Sequence, residues 1–111
     1  MRLMLGLVLL LGVAAAPRVA PNRPPTVRAR CEPCTVPVGK PSTVTAEARD
    51  PEGQRLTYTW NAAAGSLSQA SARQATWTAP LIEGPVPVSV RVADGKGAIA
   101  SDVIIIQVTK Q

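Results

Sequence analysis

From Thr26 onward, apolar and polar residues take turns along the chain. "TVRAR" (26–30) and "TVPV" (35–38) place valine at every second position, and "STVTAEARD" (42–50) sets Val44, Ala46 and Ala48 against Thr45, Glu47 and Arg49. The alternation continues in "LTYTWN" (Leu56, Tyr58, Trp60) and "QATWTAP" (Ala75, Trp77, Ala79). It ends in "VPVSVRVAD" (Val86, Val88, Val90, Val92) and "DVIIIQVT" (Ile104, Ile106, Val108). Successive side chains leave a strand on opposite sides, so a period of two means one buried and one wet face. Turn residues separate the runs: Val38-Gly39-Lys40-Pro41, Asp50-Pro51-Glu52-Gly53, Ala64-Gly65-Ser66, Glu83-Gly84-Pro85 and Asp94-Gly95-Lys96-Gly97. The pattern predicts about seven short strands, no helix, and hence an all-β sandwich of two antiparallel sheets. Across residues 62–72 the alternation breaks, which predicts an irregular crossover with a short edge strand.

Two departures from simple alternation carry information. Pro37 and Pro87 lie inside runs, and proline has no N–H for a ladder, so each marks an edge strand or an outward-facing amide. The last run is apolar on both faces, with Val103 and Ile105 opposite Ile104 and Ile106. Its second face is either covered by other parts of the protein, the reading we take first, or a docking surface along an edge strand.

The segment before the alternation is of another kind. "MRLMLGLVLLLGVAAAP" has a basic start at Arg2, an apolar run over residues 3–16, and small residues at Val13-Ala14-Ala15 or Ala14-Ala15-Ala16. These are the three parts of a signal peptide, predicted here over residues 1–16. The run is shorter than the ~18 apolar residues that span a bilayer, so no stable membrane anchor is expected after cleavage. No cysteine follows directly to carry a lipid. The expectation is export to the periplasm or beyond. "PRVAPNRPP" (17–25) has four prolines in nine residues, which forbids a helix and predicts an extended linker. The sandwich domain is then expected over residues 26–111.

Composition changes this picture little. The net charge is +5, but Arg18, Arg23, Arg28 and Arg30 supply much of it from the linker and first strand. Such a tail is a solvated linker in the first instance. No nucleic-acid motif accompanies it and no aromatics are interleaved, so nucleic acid is not an expected partner. With no phenylalanine, Tyr58, Trp60 and Trp77 are the only aromatics, and their parity assigns them to the core.

The chemistry-bearing residues are few. Cys31 and Cys34 are the only cysteines and histidine is absent, which excludes an intrachain four-ligand zinc site. The following "TVPVG" reads as strand, whereas a thioredoxin-like pair opens a helix. In an exported chain the pair is expected to form a disulfide. An exported thiol–disulfide exchanger using the two cysteines is the alternative. Asp50 and Glu52 in one loop and Asp94 in another are candidates for calcium, which takes six to eight oxygens. They are equally turn-forming residues, and Arg55 and Lys96 beside them repel a cation. With no histidine base, nucleophile elbow or phosphate loop, no enzyme activity and no cofactor is expected.

"ARDPEGQRLTYTW", "ATWTAP" and "VSVRVADGKGAIASDVIIIQV" together resemble bacterial Ig-like modules of the polycystic kidney disease (PKD) domain type, across residues 24–108. Where PKD domains carry Trp-Asp-Phe-Gly-Asp-Gly, this chain reads Trp60-Asn61-Ala62-Ala63-Ala64-Gly65. The resemblance implies an Ig-like sandwich of the PKD or fibronectin-III type, found in extracellular or periplasmic settings. It implies a non-catalytic module for protein binding, adhesion or structural spacing, with a protein or another cell-envelope component as partner. A calcium-rigidified spacer is the remaining alternative.

Overall fold

A computed structural model describes residues 21–111; the apolar leader and the start of the linker lie outside the described residues. Eight strands follow one another: β1 (Thr26–Glu32), β2 (Thr35–Pro37), β3 (Pro41–Arg49), β4 (Thr57–Ala62), β5 (Ser66–Ser68), β6 (Gln74–Thr78), β7 (Gly84–Ala93) and β8 (Ile99–Thr109). They form two four-stranded sheets, ordered β1-β3-β6-β5 and β2-β8-β7-β4. The alternating runs account for seven of the eight strands. The additional one, β5, lies in the irregular tract and pairs with β6 through only three residues, too few to show a period.

The inward rows meet between the sheets. Val44, Ala46, Ala75 and Trp77 from one sheet and Val88, Val92 and Ile106 from the other are wholly buried. Ser42 of β3 and Leu67 of β5 stand directly across from Trp77 in the ladders. Trp60 is also buried and Tyr58 is half-buried at the edge of this core. Each indole N–H finds a carbonyl: Trp60 Nε1 donates to Ala72 O and Trp77 Nε1 to Ala64 O, both at 2.9 Å. Both acceptors belong to the irregular crossover, so the tryptophans fill the core and lace that loop to it.

The chain changes sheets between β1 and β2, and the Cys31–Cys34 disulfide, with its Cα atoms 5.1 Å apart, spans that step. Buried Ser42 reinforces it by donating its hydroxyl to Pro33 O at 2.7 Å. β2 then runs parallel to β8, while every other ladder is antiparallel.

Pro37 lies on β2, the outermost strand of its sheet. Pro87, by contrast, lies on the inner strand β7. It is tolerated because β4 pairs with β7 only as far as Val88, and the Pro87 carbonyl takes the N–H of Ala63 just beyond.

Candidate functional site

Three places carry the residues singled out by chemistry. The first is the end of the sandwich where β3 leads to β4 and β7 to β8. Both aspartates there are buried and cap their own loops. Asp50 Oδ2 accepts from the N–H groups of Glu52 and Gln54 at 3.0 and 2.9 Å. Asp94 Oδ1 accepts from Lys96 and Ala98 at 2.7 and 3.1 Å. These are side-chain-closed turns, the use of aspartate that loop geometry most often makes. Glu52 points instead to the linker, where its carboxylate meets Arg23 Nε at 3.0 Å. Asn22 Nδ2 donates to Asp94 Oδ2 at 2.8 Å. The last linker residues are thus held against both loops, and Pro25, which follows them, is buried. Among the described residues, no three Asp, Glu or Cys side chains converge as a metal-binding group.

The Asn22 contact holds the Asp94 carboxyl below its ordinary value of 3.8; burial opposes this, and the N–H groups of Lys96 and Ala98 add to the lowering. A depressed carboxyl stabilises the fold above the ordinary carboxylate range and stops doing so as pH falls through its folded value. Carbon-13 NMR titration of the Asp94 carboxyl is therefore expected to give a midpoint below 3.8 in the intact protein. In Asn22→Ala the midpoint should move upward; an unchanged one would refute the linker contact.

The second place is the Cys31–Cys34 step. No helix follows Cys34; β2 begins at the next residue, so the helix N-terminus that activates an exchanging thiolate is missing. A ring this short contributes about 2 kcal/mol by loop entropy.

The third place is β8. Val103 and Ile105 are 55% and 49% exposed, so the second apolar face of the last strand is open rather than covered. Among the described residues nothing folds over it, because Val103 and Ile105 face outward from the sheet, beside Ser89 and Pro87 of β7. Nor is β8 the outermost strand: β2 lies beyond it, but pairs only with residues 107–109. Over residues 99–106 the corresponding edge of β8 has no ladder partner among the described residues. Gln107 turns its N–H toward Cys34 O on that side, and by parity so do Ser101, Val103 and Ile105.

Some features lay outside the sequence reading. Asp102 holds an inward position between Ala100 and Ile104, and its Oδ2 accepts the Ala29 N–H of β1 at 2.7 Å, tying the two sheets together along one side. A lone carboxylate within an inward row was the available signal. Leu81 and Ile82, 82% and 76% exposed in the β6–β7 connection, had none.

Comparison with known proteins agrees with this architecture. A family profile described as "Bacterial Ig domain" matches residues 18–107. Among solved structures, the PKD1 domain of Vibrio anguillarum Epp superposes with a TM-score of 0.65 at 23% identity, covering 82% of this chain and all of that one. A nucleoside hydrolase-related hypothetical protein from Saccharophagus degradans, described as associated with carbohydrate metabolism, gives a TM-score of 0.67 at 20% identity. That match covers 79% of this chain but only 26% of the larger protein. At these identities the likeness is one of fold. No curated protein sequence matches the chain.

Proposed function

Since the chain belongs to the bacterial Ig domain family, we propose that it serves as a non-catalytic binding and spacing module of the cell envelope. Its partner is a protein that docks along β8. The observation that carries this reading is the pairing of two features on one strand: exposed Val103 and Ile105, and a backbone edge without a ladder partner over residues 99–106 among the described residues. An added strand draws affinity from such backbone groups and specificity from alternating side chains.

The apolar leader, read as a signal peptide, supports export to the periplasm or the outside, and a disulfide, which persists in oxidising compartments, agrees with that reading. The cysteines act as a pin at the sheet change, supported by the strand that follows them. The loop aspartates act as turn caps without a cofactor. Three of their four carboxylate oxygens already accept N–H donors, and only Asp50 Oδ1 is buried without a partner among the described residues.

Val103→Lys combined with Ile105→Lys tests the docking surface. Both positions are exposed, so thermal stability should change little, by about 0.5 kcal/mol per site. Capture of the partner from envelope extract should be lost. A variant that retains capture would rule the β8 surface out.

A further inference from the structure

The opposite face of the sandwich has different chemistry. On the outer side of β1 and β3, Arg28 stands across from Glu47 and Arg49 across from Thr26, which makes the two arginines diagonal neighbours. Arg73, just before β6, completes a shallow groove of about 460 Å³ lined by Thr26, Arg28, Glu47, Ala48, Arg49 and Arg73. A second groove of about 270 Å³ begins at the same Glu47 and continues past Arg30, Thr43 and Thr45 to Cys31 and Glu32, whose carboxylate marks the far end of the basic stretch. Arg49 and Thr43 are six steps apart along β3, a track of about 20 Å at strand rise.

Glu47 is already taken: its carboxylate meets Arg30 Nε at 2.8 Å. That hydrogen bond, with the charges of Arg30, Arg28 and Arg73, holds its carboxyl below the ordinary value against a smaller opposing effect of burial. Arg28, Arg49 and Arg73 have no ion-pair partner among the described residues. Unpaired like charges on neighbouring strands repel one another, so the arrangement stores positive potential rather than relieving it.

We propose that this track binds an acidic polysaccharide, its sugar carboxylates seated on Arg28, Arg49 and Arg73. Guanidinium is always charged and its planar fork matches a carboxylate. Separate forks in an open groove, with the Thr26 hydroxyl beside them and those of Thr43 and Thr45 farther along, fit a linear chain carrying one carboxylate per sugar. An enclosed phosphate site would instead need converging backbone N–H groups, and here β1 and β3 are extended ladder strands, with the Ala29 N–H given to Asp102 and that of Ala46 to Arg73 O. Among the described residues the face has no aromatic to stack a nucleobase, since Trp60 and Trp77 are buried in the core. It also has no exposed large apolar side chain to enter a lipid surface; those lie on β8 and the β6–β7 connection. The site is on the sheet opposite to Val103 and Ile105, so it stands independently of protein docking there.

The test measures binding of the purified full-length protein to a polygalacturonate oligomer. Dextran, phosphatidylglycerol vesicles and single-stranded oligo(dT) serve as comparators. Polygalacturonate should bind and weaken with added salt, and dextran should not bind. Combining Arg28→Gln, Arg49→Gln and Arg73→Gln should weaken binding by about tenfold or more, the loss of at least one charge-assisted contact. Arg91→Gln, on the other sheet, should leave it unchanged. The proposal is overturned if the triple variant binds as well as the parent, if Arg91→Gln weakens binding equally, or if vesicles or oligo(dT) bind and polygalacturonate does not. Should the triple variant not fold, NMR of the parent decides: Nε–H signals of Arg28, Arg49 and Arg73 must shift on adding polygalacturonate while that of Arg91 stays in place.

Discussion

Replacing Trp77 with alanine is expected to leave the protein largely unfolded at 37 °C. The side chain is wholly buried on β6, and its indole N–H is the donor to Ala64 O. Truncating a buried tryptophan costs about 3–5 kcal/mol through lost transfer energy and the cavity left behind. The orphaned Ala64 carbonyl adds about 1–3 kcal/mol. A domain of this size has a total stability near the lower end of the usual range of about 5–15 kcal/mol, so the sum approaches the whole of it. The residues directly across from Trp77, Ser42 and Leu67, are fixed in ladders and cannot collapse into the gap. Trp77→Phe keeps most of the apolar area but loses the donor, and is expected to remain folded with a lower urea midpoint. Urea titration followed through Trp60 fluorescence separates the two variants. An alanine variant with a parental midpoint would contradict the packing.

Gly65→Ala is the second large effect, and for a different reason. Gly65 has φ of +80°, and a Cβ there would overlap the Thr78 carbonyl oxygen and lie 2.8 Å from Trp77 Nε1. Both are core or ladder atoms with no freedom to move away. The left-handed conformation costs a non-glycine residue about 1–2 kcal/mol, and forcing an atom into packed surroundings about 1–3 kcal/mol more. Gly53 supplies the control: its φ is +70°, yet nothing lies within 4 Å of the place a methyl group would take. Gly53→Ala should therefore show the conformational cost alone. In thermal melts the Gly65 variant is expected to fall by about 4–24 °C more than the Gly53 variant, from that extra 1–3 kcal/mol at roughly 4–8 °C per kcal/mol for a domain this small. Equal falls would mean that the crossover does not press on Trp77.

These two residues show what was legible in the sequence and what was not. The parity of Trp77 with Ala75 and Ala79, and of Trp60 with Tyr58 and Leu56, already placed the tryptophans on inward faces. The valine row 86–92 likewise marked β7. Gly65 was visible only as a turn residue, because its contact with Trp77 depends on how the crossover folds back. The same holds for the sheet change at Cys31 and Cys34. Two short runs separated by a Cys-Glu-Pro-Cys kink look like one edge or two, and only strand pairing assigns β1 and β2 to different sheets.

Surface function was less legible still. The apolar outward positions of β8 were plain, but whether anything covers them depends on the fold around them. Asp102 broke an inward row without revealing that its partner was the Ala29 N–H across the sandwich. Arg28, Arg49 and Arg73 are scattered along the chain, and the β1–β3 register with the approach of β6 brings them to one groove. Read in order, the first belonged to a basic linker region and the others to mixed-charge loops and strands. Alternation identifies the faces of a strand, but long-range register decides which faces adjoin.

Two sheets close over both indoles, and the proposed docking surfaces both lie on the outer faces. Iodide quenching of tryptophan fluorescence in the folded protein tests this most directly. With Trp60 4% exposed and Trp77 wholly buried, quenching should be far weaker than for free tryptophan and should reach the free value only in denaturant. Quenching of both indoles at the free value in the native protein would contradict the sandwich.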